Sequence, residues 1–294
     1  MSALVIGVDW GSSNRRAYLV GENARVIARR QDSAGACALR CGSFAESLDE
    51  LVGDWRAAHR SAKVFLSGMV GSRSGWQEVA YLDAPLALSR LAAHTVPMRE
   101  DASIRFVPGI CQHVPCDVMR GEETQLLGAW RFAASEGWHV LPGTHSRWVL
   151  LENGKIEKFH SFMTGDLYAQ LRKQGALAAV TQQETFDEAA FLQGVRCGNE
   201  YGAFASLFSV RAGVLLGAIA ADQASSRLSG LLIGAEWAAA RAFGAGADLP
   251  VHIIASTTLA ARYQLAASTL GFRVSVHDPD ACYARAIEAL AAHE

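Results

Sequence analysis

One pattern of elements occurs twice along this chain, and it restricts the fold more than any other feature. In each copy an apolar strand runs into a turn of small polar residues, a second strand follows at once, and a hairpin returns the chain. The first copy starts with VIGVDWGSSNRRAYLV at residues 5–20, and the second starts about 130 residues later with HVLPGTHSRWVLL at residues 139–151. The copies share an order of elements and not a sequence, which predicts two α/β domains of related architecture.

The remaining periodicity divides the chain near residue 135. Alternating runs predict strands at 4–8, 16–20, 26–30 and 63–66, and helical spacing predicts helices at 43–55 and 118–134. Beyond that point we predict strands at 139–141, 147–151, 155–162, 251–255 and 273–277, and helices at 230–243, 257–269 and 281–292. The predicted domains are therefore an N-terminal domain at 1–135 and a C-terminal domain at 136–294.

Composition argues against several classes of partner. The 294 residues are 50% hydrophobic and 19% charged, which is enough for two domains with a substantial core. A net charge of −2 without a basic stripe gives no reason to expect nucleic acid. No apolar run has membrane-spanning length and the first strand leaves no room for a signal peptide, so we expect a cytoplasmic protein with no membrane partner. The oligomeric state is open, with a homodimer as one option.

The cysteines do not have the spacing of a metal site. Six are spread along the chain, and none belongs to a CxxC pair: Cys37, Cys41, Cys111, Cys116, Cys197 and Cys282. We expect reduced, mostly buried thiols and no metal bound through cysteine.

Both small polar turns have the composition of a phosphate-binding turn. A hairpin needs only a turn former, whereas a phosphate site uses glycine for close approach, hydroxyl and N–H donors, and a carboxylate for a metal or its waters. Asp9 is the candidate metal residue. The candidate nucleotide residues are Gly11, Ser12, Ser13, Asn14 and Arg15 in the first turn and Gly143, Thr144, His145 and Ser146 in the second. An ordinary hairpin explains either turn alone, but two turns at matching places favour a nucleotide phosphate chain.

Two adjacent acids begin the segment GEETQLLG at 121–128. Neighbouring side chains on a helix point about 100° apart, so Glu122 and Glu123 cannot share one role. One of them can face a reaction site while the other faces solvent or caps the helix N-terminus, where negative charge is favoured. The alternative is that both are solvated acids of a first helical turn.

The loop SGMVGSRSGW at 67–76 starts where a buried strand is predicted to end. Loops at strand ends of α/β folds are common places for small ligands. Arg73 is suited to grip a carboxylate with two hydrogen bonds, and Trp76 is suited to form an apolar wall. An exposed flexible loop is the alternative interpretation.

Taken together, these segments resemble the sugar-kinase branch of the actin/hexokinase/Hsp70 superfamily over almost the whole chain. More closely, six ordered motifs resemble the 2-keto-3-deoxygalactonokinase family: DWGSSNRRAYL, SGMVGSRSGW, DVMRGEETQLLGA, LPGTHSRWV, SFMTGDL and LSGLLIGAE. The resemblance implies two ribonuclease-H-like (actin-like ATPase) domains with mixed five-stranded sheets facing a central cleft. It also implies an adenosine segment, IIASTTLAARYQLAASTLGF, followed by DPDACYARAIEALAA as a helix that connects the domains.

The resemblance further implies an ATP-dependent kinase that phosphorylates the terminal hydroxyl of 2-dehydro-3-deoxy-D-galactonate to give the 6-phosphate. ATP phosphates would contact both turns, Mg²⁺ would be held mainly through water by Asp9, and the purine would lie near Ser256 and Leu259. A carboxylate would accept the hydroxyl proton, and Glu122 is favoured over Glu123 because it directly follows the glycine. The implied sugar-acid residues are Ser67, Gly68, Met69, Arg73, Trp76 and Arg120, with Arg73 preferred for the substrate carboxylate and Arg120 in reserve.

The chain departs from the wider superfamily at three places. Pro142 stands where many relatives have an acid or another residue, Ala255-Ser256 stands where glycines are common, and the presumed base is a glutamate instead of an aspartate. Two alternatives stay open: a kinase of another sugar acid, such as the C4 epimer, or of a sugar; and a nucleotide-gated binding protein without transfer activity. The acids Asp9, Glu122 and Glu123 favour an enzyme.

Overall fold

The computed structural model describes residues 4–39, 43–133, 136–183, 185–246 and 249–293, so Cys41 lies outside the described residues. Its strands are β1 (Val5–Trp10), β2 (Arg15–Val20), β3 (Val26–Asp32), β4 (Lys63–Gly68), β5 (Leu82–Asp83), β6 (Leu86–Ala87), β7 (Val96–Pro97), β8 (Ile104–Phe106), β9 (Ile110–His113), β10 (Cys116–Met119), β11 (Gly137–Leu141), β12 (Ser146–Glu152), β13 (Lys155–Phe162), β14 (Val251–Ile254) and β15 (Val274–His277). Its α-helices are α1 (Phe44–Ala58), α2 (Glu122–Ala133), α3 (Thr164–Lys173), α4 (Glu188–Leu215), α5 (Ala224–Ala242), α6 (Thr257–Thr269) and α7 (Pro279–Ala292).

One predicted helix begins later than its pattern indicated. The segment 118–134 was predicted to be helical throughout, but Val118 and Met119 belong to β10, where they pair with Cys111 and Ile110 of β9. Gly121 then adopts a φ of +115°, a left-handed conformation that separates the strand from the helix. The helix α2 therefore starts at Glu122, and this start fixes the directions of the two adjacent acids.

Packing divides the chain into two compact units. Unit 1 comprises Met1–Glu136, Leu150–Phe159 and His277–Glu294, and unit 2 comprises Gly137–Val149 and His160–Val276. The first break, between Glu136 and Gly137, lies one residue beyond the predicted division at 135/136, and the tip of the β12–β13 hairpin and the last helix belong to unit 1. In unit 1, α7 packs against α2 and β1.

The main sheet of unit 1 has the strand order β3-β2-β1-β4-β8-β7 within the described residues. This is six strands instead of the predicted five, because the two-residue β7 adds an edge to β8. Strand β1 is antiparallel to β2 and parallel to β4, with Asp9 beside Ser67 and Trp10 beside Gly68. The carboxyl ends of β1 and β4 therefore lie next to each other. A second sheet, β10-β9-β5, was not predicted, since each of its strands has four residues or fewer.

The other six-stranded sheet has the order β15-β14-β11-β12-β13-β6 among the described residues, one strand more than predicted because the two-residue β6 pairs with β13. Unit 2 contains the helices α3 to α6. The helices α4 and α5 pack closely because glycines stand at their contact. A Cβ added at Gly230 would meet the Phe191 backbone, and one added at Gly234 would meet that of Val195. The close contact between α4 and α5 therefore explains why the LSGLLIGAE motif has glycine at these two positions. In the described part of the chain, no helix is long and apolar enough to cross a membrane.

Candidate active site

Three of the sequence motifs meet at one place in unit 1. Asp9 lies near the end of β1, and Gly68 ends the neighbouring strand β4. A Cβ added at Gly121, in the turn before α2, would lie 3.4 Å from the Gly68 Cα and 3.9 Å from the Asp9 Oδ1. Gly68 and Gly121 both have positive φ, at +88° and +115°, so their backbones take a conformation that other residues rarely adopt. The close approach of these backbones brings Asp9 and the two adjacent glutamates into one neighbourhood.

Asp9 is a mostly buried carboxylate, with 17% of its side chain exposed. Burial raises its pKa to about 6, Arg16 opposes this shift, and the charges of Glu122 and Asp280 add to it. The Arg16 Nη2 lies 3.5 Å from the Asp9 Oδ2, and the Arg16 Nη1 lies 3.6 Å from the Asp280 Oδ1. A partly accessible carboxylate beside a glycine turn has the oxygen donors that a hard cation such as Mg²⁺ requires.

Arg15 and Arg16 point to opposite faces of β2. The sequence prediction named Arg15, whereas the arginine beside Asp9 is Arg16. The Arg15 guanidinium is 3% exposed and binds Asp32 with two hydrogen bonds of 2.8 and 2.9 Å. Its Nη1 also donates to the backbone and side-chain oxygens of Ser47. A phosphate contact from this side chain would require these bonds to break, whereas Arg16 lies beside Asp9. The strand alternation in RRAYLV places the two side chains on opposite faces, but it does not say which face lies beside Asp9.

The adjacent glutamates have different surroundings. Glu123 has no exposed surface, and its two carboxylate oxygens accept the Gly121 N–H at 2.9 and 2.8 Å. Burial, followed by the charge of Glu122, raises its pKa to about 8. Glu122 is half-buried, and its Oε2 accepts the Arg120 N–H at 3.0 Å. The charge of Glu122 also raises the pKa of Asp9, so these two carboxylates lie close enough to interact.

The loop 67–76 is folded against the interior of unit 1. The Trp76 N–H donates to the Val70 carbonyl at 2.8 Å, and the Trp76 ring stacks on Phe44 with a centroid separation of 6.1 Å. Ser67 is buried, and its Oγ lies 2.9 Å from the Tyr283 Oη. Met69 is half-buried against the same apolar core, whereas Arg73 is exposed. The loop is thus closed by its own hydrogen bonds, and Arg73 stands at its surface.

Arg120 is a buried cation with unused donors. It is 9% exposed, and its Nη2 donates to the Val79 carbonyl at 2.7 Å. Its guanidinium carbon lies 4.2 Å from the centroid of the Tyr81 ring. The Nε and Nη1 are buried without a hydrogen-bond partner, and Nη1 lies 3.1 Å from where a Cβ of Gly71 would stand. Because unpaired buried donors are costly, this guanidinium is suited to an anionic or carbonyl acceptor.

The second small polar turn belongs to unit 2 and rests on the start of α3. Gly143, Thr144 and His145 are exposed, whereas Ser146 is buried. The Asp166 N–H donates to the Thr144 carbonyl at 2.9 Å, and a Cβ added at Gly165 would clash with the Gly143 backbone. The motif SFMTGDL therefore supports this turn directly. The Ser146 Oγ lies 2.7 Å from the Tyr263 Oη, so it faces inward instead of toward the exposed part of the turn.

A buried carboxylate that the sequence prediction missed, Glu236, lies beneath the same turn. It accepts hydrogen bonds from the Trp148 indole at 2.8 Å, from the Tyr263 hydroxyl at 2.9 Å and from the Thr164 hydroxyl. Burial raises its pKa, while these hydrogen bonds lower it. Glu236 is the one acid of the apolar motif LSGLLIGAE. A single acid in an otherwise apolar segment was the feature of the sequence that could have indicated a buried carboxylate.

The two predicted adenosine residues lie at the start of α6. Ser256 is exposed and precedes the helix, and Leu259 is half-buried in its first turn. Both follow directly on β14, in unit 2. Their position at a strand end is the one expected for a ligand contact in an α/β fold.

Comparison with solved structures first defines the class of fold. Component A of the Acidaminococcus fermentans (R)-2-hydroxyglutaryl-CoA dehydratase matches 99% of both chains with a TM-score of 0.55 at 11% identity. The Clostridium difficile activator of 2-hydroxyisocaproyl-CoA dehydratase, solved with bound ADPNP, matches 98% of this chain and 94% of its own with a TM-score of 0.54 at 13% identity. At such identities the likeness concerns the fold alone, and it confirms the predicted two-domain actin-like ATPase class.

The family follows from closer relatives. The family model for 2-keto-3-deoxy-galactonokinase matches residues 9–290. A probable 2-dehydro-3-deoxygalactonokinase of Rhizobium meliloti is 39% identical over 93% of this chain and 92% of its own length. The 2-dehydro-3-deoxygalactonokinase of Escherichia coli is 36% identical over 99% and 98% of the two chains. A crystal structure of a candidate 2-dehydro-3-deoxygalactonokinase from Sinorhizobium meliloti matches 98% of both chains with a TM-score of 0.89 at 36% identity. This chain belongs to the 2-keto-3-deoxy-galactonokinase family, and it is a carbohydrate kinase.

Proposed function

We propose that this protein transfers the γ-phosphoryl group of ATP to the terminal hydroxyl of 2-dehydro-3-deoxy-D-galactonate and forms the 6-phosphate. The observation that carries the proposal is the family match over residues 9–290, with two relatives named for this activity at 36% and 39% identity. The unit 1 site supports it independently, because it combines a carboxylate at a glycine turn, a second acid beside it and a buried arginine. An ATP-dependent enzyme of sugar-acid breakdown belongs in the cytoplasm.

The residues present fit Mg²⁺, and Asp9 is the one that would hold it or its waters. When bound, Mg²⁺ neutralises charge on the phosphate oxygens during transfer. Asp9 keeps 17% of its side chain exposed, and the turn that follows it offers hydroxyl and backbone donors for phosphate oxygens. Arg16 supplies a positive charge 3.5 Å from the Asp9 carboxylate and holds it in place.

Glu122 is the proposed general base for the acceptor hydroxyl. Its half-buried carboxylate is anchored by the Arg120 N–H and acts electrostatically on Asp9. Glu123 is unsuitable for this role, because it is fully buried and its pKa of about 8 keeps it protonated near neutral pH. We assign Glu123 to holding the Gly121 turn, whose N–H it accepts.

Arg120 is better supported than Arg73 as the residue for the substrate carboxylate. Two of its nitrogens lack partners, the Tyr81 ring packs against its guanidinium, and Gly71 of the 67–76 loop lies beside it. Its donors are covered by that loop, so a shift of Gly71 and its neighbours would have to accompany substrate binding. Arg73 is exposed, and a carboxylate there would compete with water for the guanidinium.

Within unit 2, the residues assigned to the nucleotide lie in the second turn and at the start of α6. The exposed Gly143, Thr144 and His145 offer donors for phosphate oxygens, and Ser256 and Leu259 are assigned to the adenosine. Ser146 contributes by fixing the turn through Tyr263.

A coupled assay of ADP release tests the proposed function. Purified protein is supplied with ATP, Mg²⁺ and, in turn, 2-dehydro-3-deoxy-D-galactonate, its C4 epimer, aldoses and alditols. We expect the highest kcat/KM with 2-dehydro-3-deoxy-D-galactonate. A higher kcat/KM with the epimer or with a neutral sugar would contradict the proposal, as would ADP release that no acceptor stimulates.

A further inference from the structure

The small sheet of unit 1 carries three metal-ligating side chains on one face. Asp83 of β5 lies beside Cys111 of β9 in the parallel pairing of these strands. His113 is two residues further along β9, and side chains two apart on a strand share a face. The His113 Nε2 lies 2.9 Å from the Asp83 Oδ1, and the Cys111 Sγ lies 3.3 Å from the same oxygen. One ligand atom from each residue lies within 4.8 Å of the other two.

The Cys111–Asp83 separation of 3.3 Å matches that of neighbouring ligands in a tetrahedral metal site, whereas the 2.9 Å between His113 and Asp83 is a hydrogen-bond distance that metal binding would lengthen by about 0.4 Å. Metal–ligand distances of about 2.0–2.3 Å place neighbouring ligand atoms roughly 3.3–3.8 Å apart. A surface ion pair accounts for Asp83 and His113, but it gives no reason for a thiol directed at the same oxygen. Thiolate with imidazole and carboxylate is a donor set that suits Zn²⁺ and does not suit Mg²⁺ or Ca²⁺.

We propose that Asp83, Cys111 and His113 bind one Zn²⁺, with water as the fourth ligand. Binding uses the Asp83 Oδ1, the neutral His113 Nε2 and the Cys111 thiolate, and the thiol proton passes to solvent. The sequence prediction of no cysteine metal site considered spacing along the chain, whereas this group is assembled by strand pairing. The proposal is independent of the proposed function, because none of the three residues belongs to the Asp9 neighbourhood.

The ion would connect β5 with β9 in the sheet that leads into the active-site turn. Strand β10 pairs with β9 and ends at Met119, directly before Arg120. Tyr81, which contacts the Arg120 guanidinium, directly precedes β5. Zn²⁺ is therefore expected to stabilise the segment that holds Arg120 and to raise the thermal midpoint of unfolding, since it binds the folded chain.

The test is a titration of untagged, chelator-treated and reduced protein with Co²⁺, followed by displacement with Zn²⁺. We expect one equivalent of Co²⁺ to give a thiolate charge-transfer band in the near ultraviolet, which Zn²⁺ abolishes. Cys111→Ser should remove the band, and His113→Ala and Asp83→Asn should each weaken the affinity about tenfold or more. Cys116→Ser is the matched control on the same sheet, since the Cys116 thiol instead donates a hydrogen bond to the His113 carbonyl oxygen, and it should leave the titration unchanged.

The outcome that overturns the proposal is specific to these residues. A saturable band that persists in Cys111→Ser, or that Cys116→Ser removes, would place the metal elsewhere. The absence of any saturable band with folded protein, checked by circular dichroism, would exclude the site. Circular dichroism spectra of the three variants that match the wild-type spectrum confirm that they are folded.

Discussion

At the scale of single residues, Asp9 combines burial, charge and accessibility in one carboxylate. Asp9→Asn keeps the shape of the side chain but removes the charge that holds a cation, so we expect turnover to fall by orders of magnitude in a folded protein. Steady-state kinetics at saturating Mg²⁺ measures this loss. Asp280→Asn is a matched control, since Asp280 also contacts Arg16, and it should lose far less. Near-normal turnover of Asp9→Asn would remove Asp9 from the metal role.

The two adjacent glutamates should differ sharply when each is changed to glutamine. Loss of a general base typically lowers the rate about 10²–10⁴-fold, and we expect such a loss in kcat for Glu122→Gln. Glu123→Gln should have a much smaller effect, because a glutamine oxygen can still accept the Gly121 N–H. Equal and mild losses in both variants would mean that neither residue is the base.

Glu123 also predicts how stability depends on pH. Its pKa is about 8 in the folded chain against an ordinary value of 4.5, so the folded state holds a proton that the unfolded state releases. This residue therefore lowers the free energy of unfolding as pH rises from about 4.5 to about 8, by about 1.4 kcal/mol for each pH unit in that interval. Glu123→Gln removes the effect, so the unfolding temperature of the variant, relative to that of the wild type, should be higher at pH 8 than at pH 5. A difference that stays constant between these pH values would contradict the burial of an ionisable group here.

The two candidate arginines for the substrate carboxylate give opposite predictions. Arg120→Lys removes the planar guanidinium with its two unpaired donors, and KM for the sugar acid should rise about tenfold, on the order of 1.4 kcal/mol, with KM for ATP unchanged. Arg73→Lys, the matched control, should leave both constants nearly unchanged. If Arg73→Lys raises KM for the sugar acid instead, the exposed loop arginine is the anchor, as the sequence first suggested.

At the scale of elements, the long strands and most helices were predictable, but the short strands β5 to β10, the helices α3 and α4 and the directions of the side chains were not. The hydrophobic periodicity predicted β13 at 155–162 and α6 at 257–269 with both ends correct. It did not separate Arg15 from Arg16, because that choice requires knowing which face of β2 is covered by α1. It also did not reveal that β10 ends at Met119, and the buried position of Arg120 follows from that end.

The same limit applies to Glu236, whose hydrogen-bond partners come from three separate segments of unit 2. Glu236→Gln keeps the size of the side chain but weakens its charge-assisted hydrogen bonds to Trp148, Tyr263 and Thr164, so the second turn should lose its fixed position. We expect KM for ATP to rise about tenfold, on the order of 1.4 kcal/mol, while KM for the sugar acid stays constant. Equal changes in both constants, together with a lower unfolding temperature, would indicate a purely structural role.

At the scale of the whole molecule, the order of six motifs along the chain was more informative than any single motif. Each motif alone permits a hairpin, a loop or an ordinary helix start. The structure shows why the motifs recur together: DWGSS, SGMVG and RGEET meet in unit 1, and LPGTHSRW, SFMTGDL and LSGLLIGAE meet around the second turn in unit 2. The preferred epimer was not predictable from these motifs, because it depends on one or two hydrogen bonds to the substrate.

The measurement that tests the central claim most directly is proton-coupled ³¹P NMR of the reaction product. The terminal hydroxyl of 2-dehydro-3-deoxy-D-galactonate is on a CH₂ group, so its phosphate ester should give a triplet, and the signal should be absent with Asp9→Asn. We predict this triplet as the single new ester signal when wild-type protein consumes ATP with the sugar acid. A doublet, from phosphate on a CH–OH carbon, would contradict the proposed reaction, as would release of inorganic phosphate without any ester.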